Sequence, residues 1–132
     1  MMRRILQKAV LITLAAAGLA FPFQYPERGY AREDRSLFDR VRADLDRASR
    51  YPYSSRPDRK RFDEARRDLF DFESRFDQGR YEKHELDRAI DRVQNVVSHN
   101  SLDPRDRGAL DEDLRRMRDY RRFRDHHYEG WR

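Results

Sequence analysis

Acids dominate the chemistry this chain could attempt. It carries 25 Asp and Glu against 30 Lys and Arg, with four His and no Cys in 132 residues. General acid–base catalysis needs two carboxyl groups held in a partly desolvated cleft with their proton affinities pushed apart. Here the acids are spread along helical faces beside arginines, so no pair stands out and no catalytic residue is assigned. Nucleophilic catalysis lacks its frame as well, because there is no G-x-S-x-G elbow and the serines fall in caps, connectors and helix surfaces. Gly18, Gly29, Gly79, Gly108 and Gly130 stand singly, whereas a phosphate loop needs clustered glycines.

Histidine is the remaining metal ligand. His126 and His127 are neighbours, which on a helix points them about 100° apart, and no H-x-x-x-H spacing places two imidazoles on one face. His84 falls in the first turn of an expected helix, and His99 lies near its end, where a protonated imidazole suits the dipole. No metal or cofactor is expected beyond adventitious binding of copper, nickel or zinc by the tail. The absence of Cys also removes disulfides, thiolate chemistry and a lipid-bearing cysteine.

Binding chemistry is better represented, in the segment from Arg115 onward. Arg115, Arg116, Arg118, Arg121, Arg122, Arg124 and Arg132 stand against Asp119, Asp125 and Glu129, a local net of +4, interleaved with Tyr120, Phe123, Tyr128 and Trp131. Arginines among aromatics suit anionic polymers, lipid headgroups or single strands of nucleic acid. The competing reading is a solvated helix end with a floppy tail.

The elements that must position these groups begin after a distinct N-terminal stretch. Arg3, Arg4 and Lys8 precede an apolar run at residues 9–20 that is too short to span a bilayer unaided. Residues 1–20 therefore read as a signal peptide for general secretion, with cleavage after Ala20 or, later, after Ala31; an uncleaved anchor is the alternative. Export makes nucleic acid the least expected partner. Removing the leader takes away three cations and no acids, leaving 27 against 25, or +2. The basicity of the whole chain is thus no nucleic-acid footprint.

Residues 21–35 (FPFQYPERGYAREDR) hold two prolines and a glycine without helical period, and read as extended or disordered. From Ser36 the period is helical. Leu37, Phe38, Val41, Leu45 and Ala48 mark a first helix capped by Asp34 or Ser36. Residues 57–78 (PDRKRFDEARRDLFDFESRFDQ) form the organising helix, with Phe62, Ala65, Leu69, Phe72 and Phe76 on one narrow seam. Ser55 or Arg56 leads into it ahead of Pro57, and Gly79 ends it. Phe70 lies off that seam; it either widens the buried stripe, which is the preferred reading, or forms an exposed aromatic patch.

A third helix starts at Glu82, with Glu85 completing an approximate capping box and Tyr81 set against Leu86; Leu86, Ala89, Ile90, Val93, Val96 and Val97 are its stripe. A fourth starts at Asp103 and Pro104, carries Leu110, Leu114, Met117 and Tyr120, contains Gly108, and frays between Tyr120 and Arg124. On the surface, Asp46 with Arg50, Asp63 with Arg67, Asp71 with Arg75, Asp111 with Arg115 and Glu112 with Arg116 are spaced for ion pairs worth a few tenths of a kcal/mol each, about 0.3 to 0.5.

Short connections join these helices. The expected architecture is an all-α, antiparallel four-helix up-down bundle over residues 36–124, followed by a flexible tail at 125–132. The alternative is a three-helix core with a loosely packed first helix.

The motifs RFDEARRDL, GRYEKHELDRAI and HNSLDPRDR lie in the run 59–118. That run, about half the chain, resembles small exported helical proteins of bacteria to which no function is assigned. The resemblance implies a fold and no activity. A looser similarity in size and helicity links the chain to exported helical chaperones of envelope stress, whose L-T-x-x-Q signature it lacks.

Three functions follow as expectations. The first is a non-enzymatic protein of the cell envelope, periplasmic or secreted, that binds an anionic polymer or a protein partner through its C-terminal segment. The second is a periplasmic chaperone or envelope-stress protein with an exposed apolar concavity lined by the long helix. The remotest is an envelope carbohydrate hydrolase. The mature form is expected to have no transmembrane span and to be a monomer or homodimer.

Overall fold

The computed structural model describes residues 25–129, with side chains described for 34–127. The expected leader at 1–20 and the end of the tail at 130–132 lie outside the described residues. Four helices follow one another: α1 (Tyr25–Ala48), α2 (Arg56–Asp77), α3 (Lys83–His99) and α4 (Pro104–Glu129). Connectors of a few residues reverse the chain each time, which makes an all-α four-helix bundle with α1, α2, α3 and α4 alternately up and down. The bundle lies within the compact unit Ser36–Arg132; of the other unit, Met1–Arg35, the described part is the opening of α1.

Each helix buries the seam its period marks. Phe38, Val41, Leu45 and Ala48 of α1 join Phe62, Ala65, Leu69 and Phe72 of α2, the α3 stripe, and Leu110, Leu114, Met117 and Tyr120 of α4 in one core. The first helix is therefore a full member of the core, not a loose addition. Phe38 ties three helices together, with its ring 4.8 Å from Phe72 and 5.5 Å from Tyr120, both edge to face. Phe76 and Tyr81 extend this aromatic layer at the end of the bundle where α2 meets α3.

The capping chemistry explains the boundaries. Ser55 accepts from the Asp58 amide while Asp58 accepts from the Ser55 amide, a reciprocal capping box, each bond 3.2 Å. Gly79 ends α2 at φ +78, a left-handed conformation that a Cβ would strain. Asp103 accepts from the Arg105 amide at 2.9 Å and starts α4.

Four expectations are corrected. Helix α1 begins at Tyr25, so residues 25–35 are helical and not extended; Pro26 stands within the first turn, where its missing N–H would have had no partner anyway. Helix α4 does not fray between Tyr120 and Arg124 but continues to Glu129, taking in most of the expected tail. Glu82 is the N-cap of α3 without a side-chain cap bond, because Glu85 turns away to Arg75 of α2. Phe70 is 67 % exposed, whereas Phe72 is fully buried; one residue past Leu69 is a rotation of about 100°, which carries the ring off the core face.

Candidate functional site

The segment singled out for arginines and aromatics is built into the bundle. Tyr120 belongs to the core. Arg121 bridges to Asp87 of α3 and lies 3.7 Å from Asp125, and Lys83 reaches Asp125 at 3.5 Å. The Arg124 guanidinium lies over the Tyr81 ring at 4.5 Å. Arg115 and Arg116 share Glu112, which holds that carboxyl below its ordinary value, and Arg122 pairs with Asp119 at 2.6 Å. Arg118 donates to Gln94 of α3 at 2.6 Å. Phe123 and His127 face each other at 4.3 Å, one turn apart. These cross-helix contacts are why α4 outruns its expected end.

Arginine plays the same part elsewhere, clamping one helix to the next. Arg42 of α1 meets Glu73 of α2, whose carboxyl burial pushes up against the pull of that guanidinium. Arg66 of α2 pairs with Asp46 at 3.0 Å. Arg92 of α3 spans Glu64 and Asp68 at 3.0 Å each. Of the five surface pairs expected at four-residue spacing, Glu112 with Arg116 forms as expected. Asp46 is drawn to Arg66 and Arg75 to Glu85, because a partner on the next helix competes with one on the same helix.

A buried polar junction closes the other end. Asn100 donates to the Asp58 carbonyl at 3.0 Å and accepts from Arg61 at 3.1 Å. The Asp58 carboxylate accepts from the amides of Ser55 and Ser101. Arg107 donates to the carbonyls of Val97 and Asn100. Residues that break the helical pattern in sequence thus tie the start of α2 to the α3–α4 connector.

Among the described residues, two buried acids of different helices meet. Asp44 of α1 and Asp113 of α4 are 7 % and 1 % exposed and within hydrogen-bond reach of one another. No donor among the described residues reaches either Asp113 oxygen, so the contact is sound only with a proton between the two carboxyls. Burial pushes the Asp113 carboxyl up to about 7, the Asp44 contact adds to the rise, and Arg40 and Arg116 oppose it. Asp44 also meets Arg47 at 3.3 Å. Both side chains of the pair are buried in the interface between α1 and α4. Its sequence signal was its register: Asp44 is three after Val41 and four before Ala48, and Asp113 has the same relation to Leu110 and Met117.

A shallow groove of about 490 Å³ between α3 and α4 is lined by Asp87, Ile90, Asp91, Arg118, Arg121 and Arg122. Its charges are of both signs and Arg121 is committed to Asp87, so it presents no coherent field to a ligand. Tyr81 has its hydroxyl pushed up to about 12, chiefly by burial, with Asp125 adding to the rise; it is a packed phenol, not a proton donor poised for catalysis. Among the described residues no three potential ligands are grouped for a metal ion, and no helix is long and apolar enough to cross a membrane. Comparison with protein-family models, with curated proteins and with solved structures yields no match.

Proposed function

We propose that this chain is a non-enzymatic, exported helical-bundle protein of the cell envelope that works by binding an anionic partner. The observation that carries the reading is the division of its arginines. Many are engaged as clamps between helices or in pairs along one helix, as Arg118 and Arg121 and then Arg115, Arg116 and Arg122 are near the C-terminus, while among the described residues a separate group is exposed without an acidic partner. Cations that contribute nothing to the bundle's own ion pairs remain available to an anion outside it. The buried register of the Asp44 and Asp113 pair supports the non-enzymatic part of the reading. The alternatives of a chaperone and of a carbohydrate hydrolase draw no specific support: the α2 seam that a chaperone would expose is buried, and the acids a hydrolase would need face each other inside the bundle.

The reading is tested by passing the purified chain over anionic and neutral polymer matrices at rising salt. Retention on the anionic matrix alone, lost as salt screens the charges, is the expected result. Equal passage through both at low salt would contradict it.

A further inference from the structure

The α1–α2 connector builds an uncommon surface at the end of the bundle shared with the α3–α4 connector. Tyr51 to Ser54 form a tight turn, closed by the Ser54 amide donating to the Tyr51 carbonyl at 3.2 Å, with Pro52 at the position such turns favour. Pro52 and Tyr53 form its tip. Tyr53 is 77 % exposed, more than any other large hydrophobic residue among those described, and leans on Tyr51 at 5.4 Å.

Around this tip stand Arg50, Arg56, Arg59 and Lys60, all exposed. Among the described residues none of the four lies within ion-pair distance of a carboxylate. Four acids of this end are engaged elsewhere: Asp58 is buried and bonded to Arg61 and two amides, Asp46 and Asp63 face Arg66, and Asp103 caps α4. The platform is rigid, because the Ser55 capping box and the Asp58–Asn100 junction fix the start of α2 on the next connector.

We infer that this connector end docks on an anionic lipid surface, with Pro52 and Tyr53 at headgroup depth and Arg50, Arg56, Arg59 and Lys60 on the phosphates. The inference rests on the anionic-partner reading and names its partner and surface. A soluble polyanion would be met by the four cations alone. A projecting proline and phenol ringed by cations fits the boundary between headgroup and hydrocarbon, where amphipathic rings settle and long basic side chains reach back to the charged layer. Each basic residue near such a surface adds about 1 kcal/mol, so four make a reversible attachment without any spanning helix.

The test is co-sedimentation of the full chain with vesicles of phosphatidylcholine, alone or mixed with phosphatidylglycerol. The N-terminal stretch is common to all variants and drops out of the comparison. The variant Arg50→Gln, Arg56→Gln, Arg59→Gln, Lys60→Gln should lose more than about tenfold in binding to the anionic vesicles. Arg122→Gln, toward the far end of the bundle, should bind as the parent does. All should keep the parent's helical circular dichroism. Tyr53→Trp in a Trp131→Phe background should shift its emission to the blue on anionic vesicles and not on neutral ones. Undiminished binding by the four-residue variant, or an unshifted tryptophan, would overturn the lipid assignment. So would binding to soluble polyphosphate but not to vesicles, although the anionic-partner reading would then survive. A parent chain that binds neither polyphosphate nor anionic vesicles would overturn both.

Discussion

Asp113 gives the bundle a pH response with a definite sign. Its carboxyl is raised in the folded chain from 3.8 to about 7. Between those values the unfolded chain has released a proton that the folded chain keeps, so this group's stabilising contribution is full below the ordinary aspartate value and is lost as pH rises through about 7. The slope is at most about 1.4 kcal/mol per pH unit. Urea midpoints should therefore fall between about pH 5 and about pH 8. Asp113→Asn should flatten that decline and raise the midpoint at the alkaline end; parallel curves for parent and variant would show that the pair does not hold the proton. On α2, Phe72→Ala should cost about 3 to 5 kcal/mol, while Phe70→Ser should stay within about 0.5 kcal/mol of the parent. Urea unfolding of both variants checks the contrast between two rings only two residues apart.

The helices test the capping account. Ser55→Ala removes the acceptor for the Asp58 amide and should cost about 1 kcal/mol. Gly108→Ala has open space around the new methyl and should stabilise α4 by up to about 1 kcal/mol. Gly79→Ala should instead destabilise, since the strain at φ +78 remains whatever the space. Thermal unfolding of the three variants reads these signs directly. The apolar seams were legible in the sequence because a period of three and four needs no tertiary knowledge: Phe62, Ala65, Leu69 and Phe72 are buried as spaced. Caps and ends were less legible, since they depend on competition between partners. Glu85 leaves its cap position for an arginine of another helix, and α4 outlasts its apolar seam because Lys83, Tyr81 and Asp87 hold its last turns. Buried acids were visible in principle. Asp44, Asp68 and Asp113 each stand three after one seam residue and four before the next, and all three are buried, but with so many acids on helix surfaces it takes the packed register to single them out.

At the scale of the whole molecule, one core closes on all four helices, and the large apolar side chains left exposed among the described residues, Tyr53, Phe70 and Phe123, are dispersed over different elements. Phe70 alone makes no patch of the size that drives association. Light scattering should accordingly give Phe70→Ser the same mass as the parent; a fall in mass would place that ring in an interface. The candidate site was the least legible part. The C-terminal arginines attract attention by their number, yet their partners lie on α3 and on α4 itself, and only the folded chain shows which cations those contacts leave over. Location on the bundle therefore separates the connector end from the C-terminal segment as the anion-binding surface. Backbone amide shifts recorded as the chain is titrated with anionic bicelles test it most directly. Perturbations gathered in residues 50–60, with residues 115–127 unmoved, are the predicted result. Perturbations gathered in residues 115–127 instead would contradict it.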